Sequence, residues 1–285
     1  MKAAIFPNLT KRDAKMRTTI IANRLTQLGA RVMMHAAMKP YFAGADILFY
    51  NDLEDLLIDC DVVIPVGGDG TIIHTARQAA EKGKPVLGIN VGRVGYVAGL
   101  EVDELDRLRD LVQGNYQIEN RMMLNISLFR DGKPVFYRAL NDIVIARGAL
   151  SRILDFSVSF NGNNICSYRA DGLIFSTPTG STAYSLAAGG PVIDPSMECI
   201  ILTPICPHAL FTRTVVFNPD AKLSVHARPN TDSEIFLTVD GENSLQIQPG
   251  EMMTVRRSSL SVGLIQLKKR DFYEVVTEKL AGRRG

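Results

Sequence analysis

The first third of the chain alternates between two hydrophobic patterns. Short apolar runs predict strands at 3–7, 31–35, 61–66 and 85–91. Apolar residues at helical spacing, among them Met16, Ile20, Ile21, Leu25 and Leu28, predict helices at 16–28, 53–58, 71–83 and 102–112. Strands separated by helices of this length are typical of βαβ units, so we predict an α/β domain with a parallel sheet.

After about Tyr116 the pattern changes to short alternating segments. Asp131-Gly132 and Asn161-Gly162 each lie between apolar runs, which is a strong hairpin signal. Further strands are predicted at 124–129, 141–146, 156–160, 172–175, 223–226, 235–239 and 260–266, and a last helix at 271–280. The sequence therefore predicts a second, mainly β domain, a sandwich or barrel-like structure of antiparallel strands.

Composition and charge narrow the class of protein. The 285 residues are 46% hydrophobic and 22% charged, which is typical of a folded globular chain. Lys plus Arg number 32 against 30 Asp plus Glu, a net charge of +2, which argues against non-specific nucleic-acid binding. The chain has no apolar run long enough for a membrane helix or a signal peptide, so we expect a cytoplasmic protein with no membrane partner. Its four cysteines form no CxxC pair, and we expect them to be reduced packing residues.

A glycine-rich segment, Gly67-Gly68-Asp69-Gly70-Thr71, lies between a predicted buried strand and a predicted helix. Glycines let the backbone approach a ligand, and the helix N-terminus offers unpaired N–H groups to a phosphate. A tight turn in which Asp69 only caps the helix is the alternative. A carboxylate beside phosphate is repelled unless it holds a metal or accepts a proton, so Asp69 favours chemistry over a plain turn.

A second segment, 176–185, has six hydroxyl side chains and Tyr184 at a predicted strand-to-helix junction. The hydroxyls suit a polar ligand and the tyrosine ring suits a nucleobase, although a Ser/Thr-rich helix cap remains the alternative. His74, one turn into the predicted helix after Gly70, either faces the same ligand or is a solvent-facing helix residue. The motifs HExxH, GxSxG, SxxK, GxxxxGK[ST] and GxGxxG are absent, so zinc, serine-hydrolase, Walker and dinucleotide-fold readings are weak.

These segments resemble the NAD kinase family, the ATP-dependent kinases that phosphorylate the 2′-hydroxyl of NAD. The resemblance rests on 67–71, Asn141-Asp142, 169–173, 176–185 and Gly189-Gly190-Pro191, in matching order over most of the chain. It implies an N-terminal α/β phosphate-binding domain to which the chain end returns (1–117 and 267–285), a β-rich NAD-binding domain (118–266), and a nucleotide site between them.

The resemblance also implies roles for individual residues. Asp69 would be the proton acceptor for the adenosine 2′-hydroxyl, and Asp171 would hold the nicotinamide side. The other implied nucleotide contacts are Gly67, Gly68, Gly70, Thr71, His74, Asn141, Asp142, Arg152, Arg169, Thr179, Thr182, Ala183, Tyr184, Ser185, Leu186, Ala187 and Glu242. Asp142 stands where many relatives have Glu, and Glu242 where some have Gln.

The resemblance implies Mg²⁺ or another divalent cation bound with ATP, NAD as the second substrate, and a homodimer or homotetramer; we assign no residue as a metal ligand. Three other functions remain open at this stage. A lipid kinase of the diacylglycerol kinase type shares the GGDG loop, but the sequence has no basic amphipathic helix for a membrane surface. A nucleotide sensor would not need Asp69, and a dehydrogenase would be expected to carry GxGxxG.

Overall fold

The computed structural model describes residues 1–92, 95–130, 132–149, 152–208, 212–229, 234–248, 250–268 and 272–281. The chain divides into two compact units. The first comprises Met1–Asn120 and Val262–Gly285, and the second comprises Arg121–Ser261. No helix in the described part of the chain is both long and apolar enough to span a membrane.

The first unit contains a parallel sheet of six strands in the order β3-β2-β1-β4-β5-β6. These strands are β1 (Lys2–Pro7), β2 (Arg31–His35), β3 (Leu48–Tyr50), β4 (Val62–Gly67), β5 (Ile89–Asn90) and β6 (Leu100–Glu101). The chain starts in the middle, builds outwards to β3, and then returns to the other side of β1. In sheets of this order, ligands bind outside the carboxyl ends of the strands where the direction reverses, which here is between β1 and β4.

Six α-helices accompany the strands: α1 (Ala14–Gln27), α2 (Leu53–Asp59), α3 (Asp69–Glu81), α4 (Leu108–Gln113), α5 (Tyr184–Ala187) and α6 (Phe272–Ala281). Short 3-10 helices cover Ala36–Met38, Val102–Arg107 and Thr179–Thr182. The core of the first unit includes Ile5 of β1, Ile21 of α1, Ile64 of β4, and Ile265 from the returning end of the chain.

Three predictions of the hydrophobic pattern differ from the structure. Met16 and Ile20 are exposed, because α1 buries the face that carries Ala14, Thr18, Ile21, Ala22 and Leu25. The helix predicted at 102–112 is a 3-10 helix followed by α4. The strand predicted at 85–91 is regular only at Ile89–Asn90, with a single bridge from Val86 to Val63 on one side and Leu264 on the other.

The second unit is built from two six-stranded sheets with antiparallel pairing, as the sequence predicts. The first has the order β11-β10-β15-β18-β7-β8, and the second β14-β13-β12-β9-β16-β17. Their strands are β7 (Gln117–Arg130), β8 (Lys133–Ala139), β9 (Asp142–Arg147), β10 (Leu154–Phe160), β11 (Asn163–Ala170), β12 (Gly172–Ser176), β13 (Ile200–Ile205), β14 (Val215–Phe217), β15 (Leu223–Pro229), β16 (Ile235–Val239), β17 (Glu242–Ile247) and β18 (Met252–Gln266).

Tight turns and a shared core explain this arrangement. Asn161 and Gly162 both have positive φ, as the predicted two-residue hairpin between β10 and β11 requires, while Asp131 of the other predicted turn lies outside the described residues. One apolar cluster contains Phe156 from the first antiparallel sheet and Phe175 from the second. The two sheets therefore pack their apolar faces together as a sandwich.

Candidate functional site

The glycine-rich loop lies at the carboxyl end of β4, next to the end of β1. The backbone N–H of Asn8 donates to Val66 O, and Asn8 Nδ2 donates to Thr71 Oγ1 over 2.9 Å. A Cβ on Gly67 would lie 2.5 Å from Thr71 Oγ1, so only glycine fits there. The loop is thus fixed at the reversal point of the sheet, where the first N–H groups of α3 have no partner within the helix.

Asp69 is the first residue of α3 and does not cap it. The residue in the cap position is Gly68, without a side-chain cap hydrogen bond, so the capping alternative is wrong and α3 starts two residues before the predicted position. Asp69 Oδ2 accepts the Tyr96 backbone N–H over 2.9 Å, and Lys279 Nζ lies 3.8 Å from the same oxygen. Asp69 Oδ1 is buried and has no hydrogen-bond partner among the described residues. The carboxylate therefore has one occupied oxygen and one that a ligand can reach as an acceptor.

The loop that follows β5 shapes the surroundings of Asp69. A Cβ on Gly95 would lie 2.1 Å from Asp69 Oδ1, which no side chain could tolerate without displacing the carboxylate. Tyr96 supplies both its backbone N–H to Asp69 and its ring to Lys279, whose Nζ lies 3.8 Å from the ring centroid. Gly95, Tyr96 and Lys279 were not selected from the sequence, because no local pattern connects them with residue 69.

Other predicted residues of the first unit differ in exposure. Gly70 and His74 are exposed, and His74 Nε2 lies 3.3 Å from Gln78 Nε2 one turn along α3. Gly68 and Thr71 are partly buried. A Cβ on Gly68 or Gly70 would meet nothing within 4 Å, so a steric need for glycine in this loop is clear only at Gly67.

A second cluster lies in the second unit, where β9 starts beside the end of β12. Asp240 is its centre: Oδ1 accepts the backbone N–H groups of Asn141 and Asp142 over 2.7 and 3.0 Å, and Oδ2 accepts that of Leu140 over 2.9 Å. Asp240 and Gly241 have φ values of 50° and 74° and form the turn between β16 and β17. The sequence offered this Asp-Gly turn signal, but not its contacts with residues about 100 positions away.

Burial and charge change the proton affinity of Asp142. Its side chain is buried, and burial together with the nearby Asp240 raises its pKa to about 7, although a hydrogen bond from the Tyr184 backbone N–H opposes the shift. Asn141 Oδ1, next to it in the chain, is buried without a hydrogen-bond partner in the described part of the chain. The start of β9 therefore presents an unused amide oxygen beside a carboxyl group that titrates near neutrality.

The hydroxyl-rich segment mainly holds itself in place. Thr177 Oγ1 donates to Leu140 O over 2.6 Å and accepts the Gly180 N–H, and a Cβ on Gly180 would lie 2.1 Å from Asn141 O. Ser185 is fully buried and its Oγ lies 2.9 Å from Thr203 Oγ1. Thr182 Oγ1 donates to Thr179 O, and buried Thr179 accepts from Arg121. These contacts favour the structural reading for much of the hydroxyl content.

Around that framework the predicted residues differ in accessibility. Tyr184 is 46% exposed, which leaves part of its ring free for contact. Ala183 and Leu186 are partly buried, and Ala187 and Glu242 are exposed.

A third cluster lies at the other end of β9. Arg147 and Asp171 form a bidentate ion pair, with Nε to Oδ1 at 2.7 Å and Nη2 to Oδ2 at 3.3 Å, and Asp171 raises the pKa of the Arg147 guanidinium. Arg169 and Arg152 are exposed. Five residues of antiparallel strand separate this end from Asp142, about 17 Å. The structure thus does not bring Asp171 together with Asn141 and Asp142, and Arg147 is a partner that the sequence analysis did not select.

The comparisons with known proteins cover almost the whole chain. Residues 4–116 match the family of the ATP-NAD kinase N-terminal domain, and residues 140–267 match that of the ATP-NAD kinase C-terminal domain. The chain is 41% identical over 229 residues to the NAD kinase of Geobacter sulfurreducens, which covers 80% of each chain. It is 35% identical over 286 residues to the NAD kinase of Acetivibrio thermocellus, which covers 99% of this chain and 98% of that protein.

Solved structures show the same fold. Yeast NADH kinase complexed with NADH has a TM-score of 0.90 at 21% identity, covering 99% of this chain and 87% of that one. An NAD kinase from Archaeoglobus fulgidus in complex with ATP has a TM-score of 0.75 at 24% identity, with 99% of both chains covered. Fold and sequence together define a phosphotransferase. The chain belongs to the NAD kinase family, as the sequence motifs predict.

Proposed function

We propose that the chain transfers the γ-phosphoryl group of ATP to the 2′-hydroxyl of the adenosine ribose of NAD, giving NADP and ADP. The observation that carries the proposal is Asp69, whose Oδ1 is buried and unpartnered among the described residues while Oδ2 is held by Tyr96. Leaving a buried carboxylate oxygen without a partner costs free energy, and an incoming hydroxyl donor would recover it. Residues for a kinase reaction on an alcohol are therefore available at a fixed position.

In this mechanism Asp69 Oδ1 accepts the hydrogen bond of the 2′-hydroxyl and orients its oxygen towards the γ-phosphorus. The new P–O bond forms as the bond to the bridging oxygen of ADP breaks, and the proton passes from the hydroxyl to Asp69 Oδ1. Phosphoryl transfer has a loose transition state, so positioning and charge neutralisation supply most of the acceleration. A carboxylate is a weak base towards a free hydroxyl, which favours proton transfer late in bond formation.

The loop at 67–71 is the proposed phosphate-binding element. Its support is the N-terminus of a 13-residue helix at the reversal point of a parallel sheet, with glycine obligatory at Gly67. A divalent cation would enter with ATP as part of the substrate and neutralise phosphate charge. A carboxylate oxygen such as Asp69 Oδ1 is a ligand type that Mg²⁺ accepts. In the described part of the chain, no group of three or more His, Cys, Asp or Glu side chains is arranged to hold a metal.

The second unit is proposed to bind the nucleotide through Asn141, Asp142 and the partly exposed Tyr184. The unpartnered Asn141 Oδ1 suits an N–H or O–H donor, and the Tyr184 ring suits a base. Asp171, paired with Arg147 about 17 Å along the strand, remains the candidate for the nicotinamide side. Arg152, Arg169, the residues at 179–187 and Glu242 stay predictions, as do the cytoplasmic localisation and the homo-oligomer.

The test is NADP formation from NAD, ATP and Mg²⁺, measured with an NADP-specific coupled enzyme for the wild type and for Asp69→Asn. Loss of a positioned general base typically lowers kcat by about 10²–10⁴-fold, and we expect a loss in that range. Calorimetric NAD binding should be retained, because Asp69→Asn preserves the shape of the side chain. A variant that lost NAD binding and activity together would show that Asp69 has a binding or folding role instead.

A further inference from the structure

The last described helix, α6, reaches Asp69 from the opposite end of the sequence. Lys279 near its end places Nζ 3.8 Å from Asp69 Oδ2 and 3.8 Å from the centroid of the Tyr96 ring. The same Tyr96 donates its backbone N–H to Asp69 Oδ2. One carboxylate oxygen is thus addressed by a fixed N–H and by a cation that an aromatic ring supports.

Stability alone is a weak explanation for this arrangement. About a quarter of each side chain is exposed, 26% for Lys279 and 27% for Asp69, and their separation is at the long end for an ion pair. Partly solvated pairs of this kind contribute little to folding. A cation held over an aromatic face gains in geometric definition, so the ammonium group is localised rather than free to move in solvent.

The effect on Asp69 follows from the difference between its two oxygens. Oδ2 has the Tyr96 N–H and the Lys279 cation, whereas Oδ1 is buried without a partner in the described part of the chain. Rotation of the carboxylate would exchange these surroundings and move Oδ1 out of its place beside Gly95. The positive charge also offsets the repulsion between Asp69 and a triphosphate at the N-terminus of α3.

We propose that Lys279 is a positioning residue for Asp69: by holding Oδ2, it keeps Oδ1 directed at the acceptor hydroxyl during phosphoryl transfer. The proposal rests on the proposed function, since it needs Asp69 to act on a hydroxyl group. It assigns a role in the reaction to α6, which lies more than 180 residues after the loop that it supports.

The test compares Lys279→Met with the wild-type chain, because Met preserves the unbranched stem and helix propensity but removes the charge. A misplaced reacting group costs up to about 100-fold, and we expect a fall in kcat of that order with KM for NAD unchanged. Lys279→Arg, which keeps a cation able to lie over the ring, should recover most of the lost kcat. Lys268→Met is the matched control: it removes another lysine of the same unit, one paired with Glu104, and should keep wild-type kcat.

Three results would overturn the proposal. The first is wild-type kcat in Lys279→Met. The second is a loss of kcat in Lys279→Met that Lys279→Arg does not relieve. The third is a loss accompanied by an equal loss of NAD affinity in calorimetry, which would indicate a structural role. If the wild-type chain formed no NADP, the proposed function itself would fail and this proposal with it.

A second pair of variants keeps the test decisive if Lys279→Met does not fold. Tyr96→Leu removes the ring beneath the cation but leaves the backbone N–H to Asp69, and Tyr96→Phe keeps a ring. We expect a higher kcat for Tyr96→Phe than for Tyr96→Leu. Equal kcat values for the two variants would contradict the proposed support of Lys279 by the ring.

Discussion

The protonation of Asp142 makes a quantitative prediction for the stability of the ligand-free protein. The side chain is 5% exposed, and burial with the nearby Asp240 raises its pKa from 3.8 to about 7. Between these values the folded chain binds a proton that the unfolded chain does not, so folding stability falls as pH rises through this window. Above pH 7 both states are ionised and the full cost of the buried charge is present.

The magnitude follows from the size of the shift. Each pKa unit is worth about 1.4 kcal/mol, so a shift of about three units destabilises the folded state by about 4 kcal/mol at pH 8. At pH 5 the corresponding cost is about 1.6 kcal/mol, because the unfolded carboxyl is ionised while the folded one keeps its proton. Asp142→Asn removes the titration. Its stability relative to the wild type should therefore improve by about 3 kcal/mol, to the nearest unit, between pH 5 and pH 8.

The assay is urea unfolding of the wild type and Asp142→Asn at pH 5, 6, 7 and 8, followed by circular dichroism. Asp220→Asn is a suitable control, because it removes one negative charge from a side chain that is 74% exposed and lies in the same unit. A difference in unfolding free energy between wild type and Asp142→Asn that stays constant from pH 5 to pH 8 would refute the reasoning. It would mean that Asp142 is ionised in the folded chain throughout this range.

Two further predictions concern positions that only the structure identifies. Gly95→Ala should lower kcat by about 100-fold without unfolding the chain, because its Cβ would lie 2.1 Å from Asp69 Oδ1; Gly92→Ala in the same loop, whose Cβ meets nothing closer than 3.7 Å, should keep wild-type kcat, and equal kcat values for both variants would refute this. Asp240→Asn should destabilise the chain by about 1–3 kcal/mol in urea at pH 5, because one of the three backbone donors loses its acceptor while Asp142 is protonated and repulsion does not contribute; unchanged stability at pH 5 would contradict the role given to Asp240.

The local elements of this protein follow largely from its sequence. The order of strands and helices in the first unit and the change to antiparallel strands near Tyr116 are visible in the hydrophobic period, since burial on one side imposes a period of two or 3.6 residues. Turn residues such as Asn161-Gly162 have a conformational cause that acts within a few residues. The glycine-rich loop and its aspartate could be recognised for the same reason, because their chemistry is contained in five consecutive positions.

The arrangement of the site was decided by the tertiary structure. Asp69 obtains its partners from Tyr96 and from Lys279, and the start of β9 obtains its acceptor from Asp240, about 100 residues away. Such contacts depend on strand order and register, which no local period encodes. The exposure of Met16 and Ile20 has the same origin, since the neighbours of a helix determine which of its faces is buried. The sequence alone determined which chemical groups the chain carries, and long-range packing determined which oxygen of Asp69 is held and which is left to accept a proton.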